Sequence, residues 1–345
     1  MIYLTSEFIN KEDKYMGLLM KALFITLNAS ILFGCSTPPK TLSYEESINF
    51  TINSSCKNSK VYYQKANELI NNGKEKELSV LVHEWEKQAP KDPELYLTRF
   101  MYYLHKAIIH EVITDTKPPK DGRPSEKIYD EHAKRELYVY NSFSYDEEFL
   151  SKGIKYLTDA LKIHANRFDI WLELVSTYLN DSNWEKGIQT LRDFISQAKC
   201  NDNKWLMAFN DFSPYIDNAK ERNVEFFHTI NQYITFMYHS DDEIAREGSK
   251  KVVSYLLASF PNNADLLVLL ANDLYKEGNI NDAVILLEDA HVMEKDNMEV
   301  IANLAYYNAM KNNKEDFDYY IAHLLSSDDE YWVNLGKGLK SSYFN

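Results

Sequence analysis

The sequence is poor in residues that break helices and in residues that cross-link chains. Its 345 residues include only 10 glycines, 9 prolines and 3 cysteines. So little glycine and proline disfavours a turn-rich all-β fold and suits long helices. Three cysteines are too few for a disulfide scaffold, and no C-x-x-C pair offers metal or redox chemistry.

Positive charge is also scarce. The chain has 38 Lys and Arg against 52 Asp and Glu, a formal net charge of -14. Nucleic acids and anionic membrane surfaces attract a basic face, so we expect no nucleic-acid partner. What is abundant is aromatic: 25 Tyr and 17 Phe, within a hydrophobic content of 45% that indicates a folded chain.

Motifs of catalysis are missing as well. The sequence has no H-E-x-x-H, no G-x-S-x-G, no Walker loop and no G-x-G-x-x-G. A composite site would have to use Glu126, Asp130, Glu131 and His132, which the charged face of a solvated helix explains more simply. We therefore expect no enzyme, no cofactor and no metal site.

The N-terminal region has the pattern of an export signal. Lys21 leads a mainly apolar run that ends at Gly34, directly before Cys35. The run is too short to span a bilayer as a stable helix. We predict that residues 1–34 are a signal peptide, with Met20 as the true start and residues 1–19 as an upstream extension.

The end of this signal, Leu32-Phe33-Gly34-Cys35, resembles the lipobox of bacterial lipoproteins. The resemblance implies that Cys35 is diacylated, palmitate included, and becomes the new N-terminus. With Ser36 next, it implies a bacterial envelope protein held in the outer membrane and facing the periplasm. The alternative is a plain cleavable signal with an incidental cysteine.

Beyond Cys35 the chain is predicted to be a flexible tether over residues 35–59. Pro38 and Pro39 are followed there by many Ser, Thr and Asn residues. In an oxidising compartment Cys56 and Cys200 are a possible disulfide, and the alternative is two unlinked thiols.

The rest of the chain repeats itself every 34 residues. The clearest copy, 264–297, has one apolar helix face, a Gly-Asn turn and a second face: Leu267, Leu270, Ala271, Leu274, Gly278, Asn279, Ala283, Leu287 and Ala290. The next copy follows with Ile301, Leu304, Ala305 and Asn308, and an earlier copy starts at Phe168. A fixed period of this length is typical of helical repeat arrays.

These positions resemble the tetratricopeptide repeat (TPR), in which small residues let two helices approach and large ones fill the groove between units. The resemblance implies an all-α fold over residues 60–345, a right-handed α-solenoid of antiparallel helix pairs. It implies a role in protein–protein interaction, without naming the partner.

One repeat is interrupted. A first helix is predicted from Pro93 to about Val112, but its partner helix begins only near Phe149, which leaves an insertion at about 114–148. The insertion contains a helix-breaking stretch from Lys117 to Pro124, followed by a predicted short helix from Ser125 to Tyr140. Such insertions are either functional or merely tolerated.

The first helix of each repeat is expected to line a partner-binding groove. Its predicted residues are Asn272, Tyr275, Lys276, Asn303, Tyr306 and Met310, with Leu172, Ser176 and Asn180 in an earlier repeat. Amide and aromatic side chains suit an extended or helical peptide from another envelope protein. We therefore predict a non-catalytic, lipid-anchored scaffold, and the alternative is an accessory lipoprotein that binds glycan or peptidoglycan. The alternative for the groove itself is a solvated inner surface of a repeat array whose convex side binds the partner.

Overall fold

A computed structural model describes residues 53–119, 124–208 and 218–343, together with residues 46, 49 and 50. The described residues divide into two compact units. The first unit comprises those within 37–217 and 241–248, and the second those within 218–240 and 249–345. No helix in the described ranges is both long enough and apolar enough to cross a membrane.

The first unit is built from helix pairs. Its elements are α1 (Ser59–Asn71) with α2 (Glu75–Gln88), α3 (Pro93–Ala107) with α4 (Glu147–Ile163), and α5 (Phe168–Asn180) with α6 (Trp184–Asn201). Each helix packs against its partner, and α1 also packs against α3, as α4 does against α5. Each pair thus covers the apolar face of the next, as in a repeat array.

The second unit follows the same plan. It contains α7 (Ala219–Tyr238), most of α8 (Glu243–Ser259), α9 (Ala264–Lys276) with α10 (Ile280–Met293), α11 (Met298–Met310) with α12 (Lys314–Leu325), and α13 (Glu330–Tyr343). Helix α9 also contacts α7, and α11 contacts α13. The first helices of successive pairs therefore lie side by side, and the predicted fold of TPR-type helix pairs is confirmed.

The turns inside the pairs occur where the repeat places them. Gly73, Ser182, Gly278 and Asn312 each come just after the first helix of a pair, and all have positive φ, at 64°, 56°, 84° and 57°. This left-handed conformation costs glycine nothing and is tolerated by short polar residues. It ends the first helix and reverses the chain for the second.

Small residues allow the two helices of a pair to approach closely. Ala271, Ala283, Ala290 and Ala305 are fully buried in the second unit. In the first unit, a Cβ placed on Gly187 of α6 would overlap the side chain of Leu179 on α5. Any larger residue at this position would force the Leu179 side chain, which is buried in the contact between the two helices, to shift.

The predicted helix from Ser125 to Tyr140 is wrong. The insertion folds into a three-stranded antiparallel sheet of β1 (Ile108–Asp115), β2 (Glu126–Asp130) and β3 (Arg135–Tyr145), in the order β1-β3-β2. Helix α3 accordingly ends at Ala107 and not near Val112. The Asp146 N–H donates to the Ala107 carbonyl at 2.8 Å, so the sheet begins and ends at the same place on the α3–α4 pair.

The local sequence explains the strands. Ile108 to Thr114 is rich in β-branched residues, and four of the eight residues from Tyr138 to Tyr145 are aromatic. Between β2 and β3, Asp130 Oδ1 accepts hydrogen bonds from the N–H groups of His132 and Ala133, at 3.0 Å each. Of the residues that suggested a charged helix, Glu126 and Asp130 lie in β2, and Glu131 and His132 lie in this turn, where Lys134 takes a positive φ of 48°.

We expect Gly187→Ala to destabilise the protein by about 1–3 kcal/mol, because the added methyl group overpacks the α5–α6 contact. Gly338→Ala is the matched control, since a Cβ at that exposed helical position meets no atom within 4 Å. It should stabilise the protein by about 0.5–1 kcal/mol through helix propensity. Urea denaturation measures both, and equal effects of the two substitutions would contradict the close α5–α6 approach.

Candidate partner-binding surface

Three of the predicted groove residues come together in the second unit. Tyr275 on α9 meets Tyr306 on α11, and Asn272 on α9 meets Tyr307, which the structure adds to the group together with Tyr343. These five residues are termed the tyrosine cluster. It links three first helices, α9, α11 and α13, because those helices lie side by side.

The cluster is held by hydrogen bonds and ring packing. The hydroxyl oxygens of Tyr275 and Tyr306 are 2.9 Å apart, and the Tyr307 hydroxyl donates to Asn272 Oδ1 at 2.5 Å. The ring of Tyr275 stacks on that of Tyr307 with centroids 4.4 Å apart, and Tyr306 meets Tyr343 edge-on at 6.0 Å. Fixed in this way, the rings lose little freedom when a ligand binds.

Burial differs among the members and determines their chemistry. Tyr307 is only 3% exposed, whereas Tyr275 and Tyr306 are half-buried. Burial raises the pKa of the Tyr307 phenol, and the hydrogen bond with Tyr275 raises the pKa of Tyr306. The cluster therefore presents neutral hydroxyls and ring edges at physiological pH.

The other predicted residues of the second unit flank this cluster. Lys276 is exposed, with its Nζ 3.0 Å from Asp273, which also accepts from Asn231 Nδ2 of α7 at 2.6 Å. Met310 is 44% exposed at the end of α11, and Asn303 is half-buried one turn before Tyr306. Charged, apolar and amide groups thus border the aromatic centre.

The remaining predicted residues belong to the first unit. Leu172, Ser176 and Asn180 lie on α5, where the first two are half-buried and the third is exposed. Because they are spaced four residues apart, they lie on one face of this first helix, as the repeat predicts.

The sequence did not identify Tyr307, Tyr343, Asp273 or Asn231 as members of this surface. Tyr307 follows Tyr306 directly, and that pair of tyrosines was the available signal. Tyr343 lies near the end of the chain, beyond the clear repeats, so the period could not place it. Whether these residues belong to the surface depends on contacts between neighbouring first helices, which the repeat period alone does not give.

A second group of titratable residues is enclosed in the first unit. Arg167, 1% exposed, holds Glu94 through Nη1 at 2.9 Å and Asp169 through Nε and Nη2 at 2.9 and 2.8 Å. Fully buried Asp92 accepts hydrogen bonds from the Cys56 N–H and from Trp85 Nε1. Enclosed and held together by these bonds, with only Glu94 Oε2 lacking a hydrogen-bond partner among them, this group joins the segment before α1 to α2, α3 and α5.

Burial perturbs two ionisable side chains there. It raises the pKa of Glu94 to about 7, even with Arg167 adjacent. It lowers the pKa of His164 to about 4, against the hydrogen bond between Nε2 and the Lys91 carbonyl at 2.7 Å. Perturbed pKa values often indicate active sites. Here both residues are at most 4% exposed and lie within the packed helices, so they do not line an open cleft.

The structure bears on only some of the predictions about cysteines and metal ligands. Cys35 lies outside the described residues. Cys56 is half-buried and Cys200 is exposed, and the structure contains no disulfide between them. Across the described ranges, no group of three or more His, Cys, Asp and Glu side chains is arranged to hold a metal ion.

Comparison with known proteins adds little. No protein-family model matches the chain, and no curated protein matches its sequence. Among solved structures it is similar to MamA, residue 41 to the end, from Desulfovibrio magneticus RS-1: 14% identity, 52% of this chain, 88% of that chain and a TM-score of 0.27. It is also similar to a tetratricopeptide repeat protein from Parabacteroides merdae: 11% identity, 82% of this chain, 99% of that chain and a TM-score of 0.24. TM-scores this low do not establish a fold, so the fold is assigned from the pairing of the helices.

His164 makes stability sensitive to acid. Its folded pKa of about 4 lies below the unfolded value of 6.5, so the unfolded chain binds the proton more readily and stability falls as pH drops from 6.5 towards 4. Between pH 7 and pH 4.5 the wild type should lose about 2 kcal/mol more than His164→Gln.

Urea denaturation at the two pH values tests this. Glu94, whose raised pKa works in the opposite direction over this range, is present in both proteins, so its effect cancels in the comparison. Equal acid losses in wild type and variant would show that His164 is not held neutral by the fold.

Proposed function

We propose that this protein is a non-catalytic scaffold that holds a segment of a partner protein against the tyrosine cluster. The observation that carries the proposal is the continuity of this surface over three first helices, with Tyr275, Tyr306 and Tyr343 bordered by Lys276 and Met310. Rigid aromatic side chains provide contact area at a low entropic cost. A peptide lying across the first helices would meet apolar, amide and charged groups in turn.

A peptide fits this surface better than a sugar. Sugars stack on exposed ring faces, but one face of Tyr275 is covered by Tyr307, and its edge meets Tyr306. What is left accessible are hydroxyls, ring edges and the Asn303 amide, which suit peptide groups and apolar side chains. Raised phenol pKa values also leave the cluster without a base or nucleophile near neutral pH.

The scaffold is further proposed to be anchored in a bacterial envelope. The lipobox-like Leu32-Phe33-Gly34-Cys35 supports this, and the partner would then be another envelope protein or a segment of one. Two or more acyl chains on Cys35 give stable membrane attachment without a spanning helix. Ser36 supports the outer membrane, facing the periplasm.

A photoreactive phenylalanine analogue at Met310 should cross-link to the partner in intact cells, because this side chain borders the tyrosine cluster. The same analogue at Val292, 72% exposed on α10, should give no such product. Tyr306→Ala should weaken the Met310 cross-link several-fold by removing the central ring.

The matched control is Tyr319→Ala, which removes a 53% exposed tyrosine from α12. It should leave the Met310 cross-link unchanged. Cross-linking from Val292 as strong as from Met310 would show that the partner binds elsewhere.

We expect Cys35→Ser to abolish labelling by an alkyne analogue of palmitate and to release the chain from the membrane fraction, because the acylated atom is the Cys35 sulfur. Cys56→Ser is the control and should retain both the label and the membrane association. A Cys35→Ser protein that is still labelled, or a wild type that is cleaved and released, would contradict the lipid anchor.

A further inference from the structure

The outer edge of β1 is open. Its eight residues pair with β3 in an unbroken register, from Ile108 opposite Tyr145 to Asp115 opposite Tyr138. The sheet order β1-β3-β2 places β1 at one side, and within the described part of the chain no strand pairs with its other side. Half of its backbone hydrogen-bonding groups therefore face outward along the whole strand.

Such edges are usually protected. Natural sheets shield them with proline, charged side chains (lysine above all), a bulge or a very short strand. Strand β2 is shielded in this way, since it has five residues and carries Lys127, whose Nζ lies 2.7 Å from Glu136. Strand β1 is longer and has no proline, no Lys or Arg and no bulge, but it carries two carboxylates, Glu111 and Asp115. Carboxylates repel an acidic strand and attract a basic one, so this edge is open to pairing with a basic strand.

The two faces of β1 differ in chemistry. Side chains alternate along a strand, so one face carries Ile108, His110, Val112 and Thr114, and the other carries Ile109, Glu111, Ile113 and Asp115. Val112 is 69% exposed, and Phe143, 47% exposed, lies beside His110 on the same face. Each face thus carries two aliphatic residues, but both carboxylates, Glu111 and Asp115, lie on the same face, which is termed the acidic face.

The acidic face carries a net negative charge. Glu111 accepts a hydrogen bond from the neutral Ser144 hydroxyl at 3.1 Å, and Asp115 accepts from the N–H groups of Thr116 and Lys117. The Lys127 ammonium on this face is already paired with Glu136. Lys117, in the turn after β1, is the cation whose charge acts on Asp115.

We propose that the outer edge of β1 is a second interaction surface, which takes an extended segment of a partner protein as a fourth strand. The segment that fits alternates Lys or Arg with apolar residues. Its basic side chains would face Glu111 and Asp115, its apolar side chains would extend the face of Val112, and its backbone would complete the hydrogen bonds of the edge. This surface belongs to the first unit and does not depend on the tyrosine cluster.

Charge decides between such a partner and a second copy of this chain. If two β1 strands paired antiparallel with their acidic faces on the same side, the Glu111 and Asp115 carboxylates of both copies would be neighbours. Like charges at facing or diagonal positions oppose pairing. The formal charge of -14 on each chain adds to the repulsion. A basic strand removes both penalties.

The test is a fluorescent peptide of alternating Lys and Val, as long as β1, titrated against the purified full chain. Its control has the same composition with all Lys before all Val, so that bulk charge is identical and the alternation is lost. We expect the alternating peptide to bind about tenfold more tightly than the block peptide, and to protect the amides of residues 108–115 from hydrogen exchange.

Charge variants locate the site. Glu111→Lys with Asp115→Lys should weaken binding of the alternating peptide at least about tenfold. Glu131→Lys with Asp328→Lys makes the same charge change at two exposed positions away from the edge, and should change affinity less than twofold. Glu111→Gln with Asp115→Asn should give an intermediate loss, and it serves as the test if the double lysine variant fails to fold.

Three results would overturn the proposal. These are equal affinities for the two peptides, equal losses in the two double lysine variants, and protection from exchange outside residues 108–115. A dimer of the peptide-free chain that becomes tighter in the Glu111→Gln, Asp115→Asn protein, where the carboxylate repulsion is removed, would assign the edge to a second copy instead. None of these results bears on cross-linking from Met310, so the two surfaces are tested separately.

Discussion

Close contact between neighbouring helices is the constraint on which the rest of this structure depends. A helix pair in a repeat array has no core of its own and must bury its apolar face against the next pair. That burial requires small residues where two backbones approach, such as Gly187 against Leu179, and Ala271 and Ala305 in the second unit. The same spacing aligns the first helices of successive pairs. Tyr275 of α9 and Tyr306 of α11 can therefore share a hydrogen bond although they are far apart in sequence.

The parts of the fold that repeat could be predicted from the sequence. Helix pairs, the Gly278 and Asn312 turns and the small buried positions follow from a period of 34 residues, and helices α9 and α11 begin at Ala264 and Met298, 34 residues apart. Asn272, Tyr275 and Tyr306 followed from the same frame. Tyr343 did not, because its membership depends on how α13 packs after the last clear repeat.

The part that does not repeat was predicted wrongly, for a physical reason. Glu131 to Lys134 has the composition of a helix, but these residues only connect two strands. Strand β1 pairs with β3 across an intervening segment that includes all of β2, so no local pattern reveals the pairing. Propensity is a weak guide where distant strands decide the structure. A stretch rich in Tyr, Val and Ile next to a repeat is better interpreted as strand when it lies within an insertion.

The sheet is useful as a binding element only if its base is rigid, and the first unit provides that rigidity. Its two ends meet at Ala107 and Asp146, where α3 ends and α4 begins. At the other end of α3, its capping residue Asp92 and its first-turn residue Glu94 belong to the buried network of Arg167 and His164. A buried ion pair contributes little net stability, but a buried charge that has lost its partner is strongly destabilising. Any arrangement of these helices that separates the paired charges is therefore disfavoured. The network therefore fixes where α3 starts, α3 fixes where the sheet leaves the helical body, and the open edge of β1 follows directly from the end of α3.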